Sequence, residues 1–302
     1  SLDTEQIDRV FRCVMLDHPE IFYLQGYSLT KVTRGGRLEK ITFSGAYTMT
    51  EEEAALRMEK IDAYVTKCLS GISQDASDYE KVKYVYEYLV KNTEYDEHSE
   101  DNQNICSVFI NGVSVCQGYA KATQYLLQKL NVPCLMAEGT VKETETHVWN
   151  VVSINGEYYH VDTTWGDAAY SFTEGELEGL VGSENIPDIN YDYLCIPDEM
   201  LRRTHVVDSV IPIPPCLSMT YNYYVQEGIY FTSTDEAQLQ RVFADAYATG
   251  KSCAQIKCAD ETVYRDIYRY LIQEEHIFEY LDGGSSVGYV EMQQQFSIIF
   301  YL

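Results

Sequence analysis

Three side chains in this 302-residue chain have the types and the order that nucleophilic acyl chemistry needs. Cys116 stands in Ser114-Val115-Cys116-Gln117-Gly118-Tyr119-Ala120, His147 in Thr146-His147-Val148-Trp149-Asn150, and Asp162 in Tyr159-His160-Val161-Asp162-Thr163-Thr164-Trp165. Only a thiolate attacks a carbonyl well, and a thiol ionises more readily beside an imidazolium or at a helix N-terminus. The sequence offers Cys116 both aids. Behind it, Tyr119, Leu126, Leu127 and Leu130, with Thr123 between them, follow a helical period. Asn131 and Pro133 then stop the helix. The thiol would sit where unpaired backbone N–H groups and the helix dipole favour an anion. Those same groups, Gln117 included, are candidate donors to a tetrahedral oxyanion.

His147 opens an alternating stretch from Thr146 to Ile154, in which His147, Trp149, Val151 and Ser153 share one face of a strand. Asn155-Gly156 is a hairpin signal, and Glu157 to Thr164 reads as the returning strand. With Ile154 paired to Glu157, His147 falls opposite Thr164 and Trp149 opposite Asp162. His147 and Asp162 become diagonal neighbours within reach of each other. Asp162 would then hold the tautomer of the imidazole and stabilise its charge. Two alternatives stay open. His160 shares a strand face with Asp162 and is a second candidate base, and Asp162 has the residue type of a turn or cap. Trp149 and Trp165 read as core aromatics or as walls of the cleft. The other eight cysteines read as buried, inert thiols.

Taken together, Val-Cys-Gln-Gly-Tyr-Ala, His-Val-Trp-Asn and Tyr-His-Val-Asp-Thr-Thr-Trp-Gly-Asp resemble the three blocks of the transglutaminase-like superfamily. The resemblance covers about residues 78–168. It implies an α+β fold with a papain-like core, in which a nucleophile helix packs on an antiparallel sheet. It implies Cys116 as nucleophile, His147 as general base and acid, and Asp162 as the orienting carboxylate. Animal transglutaminases place a tryptophan upstream of the nucleophile, and here both tryptophans lie downstream. The resemblance therefore favours hydrolysis over cross-linking. An upstream amide, Gln103 or Asn104, is the candidate second oxyanion donor, as glutamine is in papain-like enzymes. The segment Asp17-His18-Pro19-Glu20-Ile21-Phe22-Tyr23 is similar to segments that precede such domains in Gram-positive bacterial proteins. The expected function is a cysteine-dependent acyl-transfer enzyme acting on peptide or protein amides through a thioester. The alternative is an inactive surface binding protein on the same scaffold.

The elements that must position these residues can be read outward from them. Ser77 with Glu80 and Thr50 with Glu53 form capping boxes for two helices before the nucleophile helix. Ile7, Val10, Phe11 and Val14 suggest an amphipathic first helix, followed by a hairpin turned at Gly35-Gly36. We expect three parts: a helix-hairpin-helix region at 1–74, the catalytic core at 75–210, and a small α+β domain at 216–302, compatible with a ferredoxin-like order. The prolines Pro212, Pro214 and Pro215 mark the last boundary. Asp167 to Asn190 is rich in glycine and acid and reads as a surface loop, or as a lid.

Composition narrows the partners. Lys and Arg number 22 against 47 Asp and Glu, a formal net charge of −25, which argues against nucleic acid or an anionic membrane. The expected partner is a peptide or protein, in one reading from the cell envelope. No apolar run approaches the roughly 20 residues that span a bilayer. No Cys-x-x-Cys and no helical pair of histidines is present, so neither a metal nor any other cofactor is expected. Nine cysteines without a paired framework fit a reducing compartment or a protein that forms no disulfides. The bacterial proteins it resembles are often surface-attached. The location favoured is the bacterial cell surface or outside the cell, with the cytoplasm as the alternative.

Overall fold

Capping residues and tight turns set most element ends. The computed structural model describes residues 4–99, 101–167, 188–283 and 286–302. The chain opens with α1 (Thr4–Asp17) and a hairpin of β1 (Leu24–Arg34) and β2 (Arg37–Tyr47), turned by Gly35 and Gly36 at φ 59° and 78°. α2 (Glu51–Leu69) and α3 (Asp78–Asn92) each start at the expected capping box, on Thr50 and Ser77. β3 (Glu94–Tyr95) pairs in parallel with β4 (Val113–Ser114), a short ladder that leads into α4 (Cys116–Lys129). Then come β5 (Cys134–Val141), β6 (Glu145–Ile154), β7 (Glu157–Val161) and a one-turn helix, α5 (Thr163–Gly166). Residues 168–187, where the loop or lid was expected, lie outside the described residues. Beyond them are β8 (Leu194–Ile196), α6 (Asp198–Leu201) and β9 (His205–Val207). The C-terminal part holds α7 (Tyr223–Gln226), β10 (Tyr230–Phe231), α8 (Glu236–Ala248), β11 (Cys253–Cys258), α9 (Glu261–Tyr268), β12 (Tyr289–Met292) and β13 (Ser297–Tyr301).

The fold is α+β. Its central sheet has the antiparallel order β8-β7-β6-β5-β9. β6 is buried almost throughout, and its alternation feeds two cores. Val152 and Ile154 join the large cluster with Leu126 and Leu127 of α4, with Leu130 just after it and with α3, while Trp149 and Val151 join a second with Ala137, Trp165 and Tyr193. Asn150 Nδ2 donates to Ala120 O at 3.0 Å, and Gln124 Nε2 donates to Cys134 O at 3.2 Å. These bonds run α4 alongside β6 in the same direction. The start of the helix and the start of the strand, with Cys116 and His147, therefore lie at one end.

Several expectations need correcting. On α1, Val10 and Val14 are exposed and Leu16 is the buried residue. The helix instead turns Phe11 onto Tyr27 and Phe43 of the hairpin, with ring centroids 4.7 and 6.3 Å away. The β6–β7 register is as read, with Ile154 opposite Glu157, but β7 stops at Val161. Asp162 ends it by capping α5, so Thr164 belongs to a helical turn and never reaches His147 along the ladder. The β-rich stretch of residues 221–232 does not form one strand. Asn222 caps a helical turn by accepting from Tyr224 N at 3.1 Å, and Gly228 at φ 71° ends it before β10. The C-terminal sheet has the order β10-β11-β13-β12, with β10 and β11 as adjacent parallel strands. A ferredoxin-like order would put another strand between them.

Gly118 is required by a close approach. A Cβ there would lie 2.0 Å from Ser114 Oγ and 2.7 Å from Ser107 Oγ, two hydroxyls that bond each other at 2.7 Å under the first turn of α4. Gly118→Ala should therefore overpack this seam and lower stability by about 1–3 kcal/mol, measured by urea unfolding. An unchanged unfolding midpoint would mean that the helix end moves aside without cost.

Candidate active site

Asp162 is buried, and each of its oxygens is used twice. Oδ1 accepts from the backbone N–H groups of Thr164 and Trp165, at 3.0 and 3.1 Å, which is how it caps α5. Oδ2 faces His147 Nε2 at 2.7 Å and His205 Nε2 at 3.0 Å. An ionised carboxylate only accepts, so both imidazoles must donate. Burial alone would raise the Asp162 pKa. The charge and N–H of His147, followed by those of His205, outweigh it and hold the carboxyl well below its ordinary range.

Only one of the two imidazoles on that oxygen is pushed toward the charged form. Burial works against a charge on His147, but Asp162, and after it Cys116, outweigh burial and raise its pKa to about 10. His205 moves the other way. Burial lowers its pKa, Asp162 offsets part of this, and the neighbouring His147 lowers it again. His147 is thus the imidazolium and His205 the neutral ring. With Nε2 of His147 turned to Asp162, its Nδ1 edge is the one left for Cys116.

Cys116 is partly exposed at the first residue of α4. It packs against Leu16 of α1, Ala120, Met136 and Val148. No side chain caps this end of α4, so its first amide groups stay directed at whatever lies above the thiol. Beside it a cavity of 930 Å³ runs between α1 and the 101–104 loop, lined among others by Arg9, Arg12, Gln103, Asn104 and Gln117. Three amide side chains proposed from sequence therefore share one cavity wall. Within it, Asn104 Oδ1 accepts from Cys106 N at 2.8 Å, and Gln103 O accepts from Lys121 Nζ at 3.1 Å.

The tryptophans lie around the imidazole. Trp149 stacks on His147, with centroids 6.1 Å apart and ring planes 17° apart, and Trp165 meets it edge-on at 6.2 Å. The Trp149 indole N–H is committed to His160 Nδ1 at 3.0 Å, so it serves as a wall and not as an oxyanion donor. His160, the second candidate base, has its other nitrogen on Asp198 Oδ1 at 2.9 Å. Neither of its nitrogens is turned to Cys116. It holds Trp149 in place instead.

His205 escaped the sequence reading. It comes from β9, outside the three blocks, and reaches Asp162 only because β9 pairs with β5, with His205 opposite Val141. Its one sequence signal was that it stood among only six histidines without an assigned place. Two sets of side chains bring three metal-capable atoms within 4.8 Å of one another: His147, Asp162 and His205, and His160, Asp198 and Cys216. In both sets the imidazoles hydrogen-bond the carboxylate. Two imidazole N–H groups point at Asp162 Oδ2, and the indole bond to His160 Nδ1 leaves the proton of that ring on Nε2, facing Asp198. All nine cysteines are free. Among the described residues, no helix is long and apolar enough to cross a membrane.

Residues 64–163 match the family model of the transglutaminase-like superfamily. This part of the chain is a transglutaminase-like core. The match contains Cys116, His147 and Asp162, and ends before His205. No curated protein matches the chain in sequence. Among solved structures it is similar to a TGase, with 14% identity over 54% of this chain and 48% of that one, and a TM-score of 0.33. It is similar to a candidate cysteine protease from Cytophaga hutchinsonii, with 12% identity over 46% of this chain and 62% of that one, and a TM-score of 0.30. It is also similar to menin, solved with its binding site for mixed lineage leukemia protein, with 15% identity over 78% of this chain and 49% of that one, and a TM-score of 0.31. The chain spans less than two thirds of the length of each.

The pKa directions fix how stability should follow pH. His147 is raised, so the ion pair contributes fully below the ordinary imidazole pKa near about 6.5, and is lost as pH climbs through about 10. His160 and His205 are lowered, so their contribution is full above about pH 6.5 and is lost as pH falls below it. Urea unfolding of the wild type should weaken in both directions from neutrality. In His147→Gln the alkaline decline should be shallower, what remains coming from buried thiols whose pKa values burial raises. Parallel curves for the two proteins from neutrality to about pH 10 would show that the ion pair does not form.

Proposed function

We propose that the protein is a cysteine-dependent acyl-transfer enzyme acting on peptide or protein amides through a thioester, with hydrolysis favoured over cross-linking. The observation that carries this reading is the buried His147–Asp162 pair at 2.7 Å, whose second imidazole edge is left for the partly exposed thiol at the start of α4. The transglutaminase-like match over the same residues supports it.

Each group has a step to perform. Cys116 Sγ attacks the amide carbonyl carbon, and the carbonyl electron pair moves to oxygen, where the first amides of α4 can receive it. When the tetrahedral intermediate collapses, the C–N bond breaks, and the His147 imidazolium gives its Nδ1 proton to the departing amine. This leaves a thioester on Cys116 and a neutral His147. Water then gives a proton back to His147 as its oxygen attacks the thioester, and the carboxylic acid departs as the thiolate re-forms. An amine in place of water would make an isopeptide. Water is favoured because both tryptophans lie behind His147 and none stands upstream of the nucleophile. The cavity between α1 and the 101–104 loop has the volume for several residues of an extended peptide.

The chain carries its own controls, since Cys13 and Cys253 are also partly exposed. At about pH 6, iodoacetamide should alkylate Cys116 at least about ten-fold faster than either, as followed by peptide mass spectrometry. His147→Ala should remove the difference, and Cys116→Ala should abolish amide hydrolysis in a peptide-library assay. Equal alkylation of the three thiols, unaltered by His147→Ala, would leave a binding protein on this scaffold.

A further inference from the structure

We propose that His205 is a positioning residue of this site, held by a run of hydrogen bonds that begins in the C-terminal sheet and ends on Asp162. The proposal rests on the reading of Cys116 and His147 as nucleophile and base. It adds a residue from outside the matched core.

The run can be followed atom by atom. Lys257 on β11 is buried, with Nζ 2.6 Å from Asp192 Oδ1 and 3.5 Å from Gln295 Oε1. An ammonium can only donate, so it takes the Gln295 carbonyl and leaves the amide of that side chain facing outward. Gln295 Nε2 donates to Tyr193 OH at 3.1 Å, and Tyr193 OH donates to Thr204 Oγ1 at 3.3 Å. The Thr204 hydroxyl and His205 Nδ1 lie 2.8 Å apart. His205 Nε2 lies 3.0 Å from Asp162 Oδ2, which cannot donate. With His205 neutral, its proton sits on Nε2 and its Nδ1 accepts from Thr204, in preference to the longer 3.5 Å contact of that hydroxyl with Leu201 O. Each hydrogen in the run then points toward the carboxylate, and such chains strengthen their own members. Lys257, Gln295, Tyr193, His205 and Asp162 are all buried and Thr204 is half-buried, so water has little access to compete for these bonds.

A second N–H on Oδ2 has two consequences for His147. It fixes the oxygen that sets the plane and tautomer of the His147 ring. It also spreads the charge of Asp162 over two donors, so the carboxylate draws the His147 proton less strongly. An imidazolium held too tightly is a poor acid toward a leaving amine. His205 thereby moderates the acid without touching substrate. The titratable groups facing the cluster are Cys116 from α4, His160 from β7, Tyr86 from α3 and Tyr193 before β8, besides the three members themselves.

The test is a pH titration of the full chain by histidine-selective nitrogen NMR, in the wild type, His205→Gln, His205→Leu and Thr204→Val. In the wild type His205 should show a bare Nδ1 and a protonated Nε2. His205→Leu should raise the His147 midpoint by about one unit, and His205→Gln, which keeps a donor where Nε2 stood, should restore it. Thr204→Val should raise it by less, and decides the matter if His205→Leu does not fold. A wild-type His205 protonated on Nδ1, or a His147 midpoint that none of the folded variants moves, overturns the proposal. Alkylation of Cys116 that ignores His147→Ala would sink the catalytic reading alone, because the titration reports on Asp162 whether or not the thiol reacts.

Discussion

A buried carboxylate must be fully satisfied, and the site is arranged around that demand. Asp162 is 1% exposed and draws its four partners from three elements: two amides of α5, His147 of β6 and His205 of β9. An unpaired charge in such a place costs several kcal/mol, and breaking a buried pair by removing one partner typically costs about 3–5 kcal/mol. Each partner is thereby tied to the position of the others. The carboxylate that orients His147 is also the fastening between the ends of two strands and a helical turn.

Cys116 is held by a separate set of contacts that meets the first at α5. Thr123 Oγ1 and Thr163 Oγ1 bond at 2.8 Å across α4 and α5, one residue from Asp162. Asn150 ties β6 to α4 at Ala120, four residues after Cys116 on the same helix. At the other side, Gly118 lets α4 settle onto Ser114 and Ser107. Thiol and imidazole therefore lie on different elements, yet both are referred to the same one-turn helix. Leu16 of α1 closes the apolar floor with Ala120, Met136 and Val148, and Arg12, one turn earlier, pairs with Glu138 of β5 at 2.9 Å. The first helix is thus part of the wall of the cleft.

What could be read from the sequence was what short-range rules govern. Thr50 with Glu53 and Ser77 with Glu80 are capping boxes because the partners are three residues apart. Asn155-Gly156 sets the β6–β7 register because a two-residue turn admits one pairing, and that register carries His147 toward Asp162. The same alternation rule failed at Thr163, where the Asp162 side chain offered the backbone a cap in competition with the ladder. It failed on α1 because the buried face depends on a hairpin that starts seven residues after the helix ends. His205 was illegible for the strongest reason. Its meaning lies in a bond to a residue 43 positions away, made through a strand pairing that no local pattern announces.

The C-terminal sheet is joined to the core by the same kind of constraint that governs the site. Lys257 is fully buried, and burial pulls its pKa down against the opposing pull of Asp192. Asp192 Oδ1 collects the ammonium at 2.6 Å, Tyr224 OH at 2.8 Å and Ser297 Oγ at 3.3 Å. Asp192 belongs to the stretch just before β8, and Lys257 and Ser297 belong to the C-terminal sheet. An ion pair so deeply placed has no water to replace a missing partner. Two buried carboxylates, Asp162 and Asp192, thus stand on either side of Tyr193, each holding elements that the chain order keeps apart. Tyr193 is linked to the second through Gln295 and Lys257, and to the first through Thr204 and His205. A change of packing in the C-terminal sheet has a short, buried, polar route to the orientation of His147.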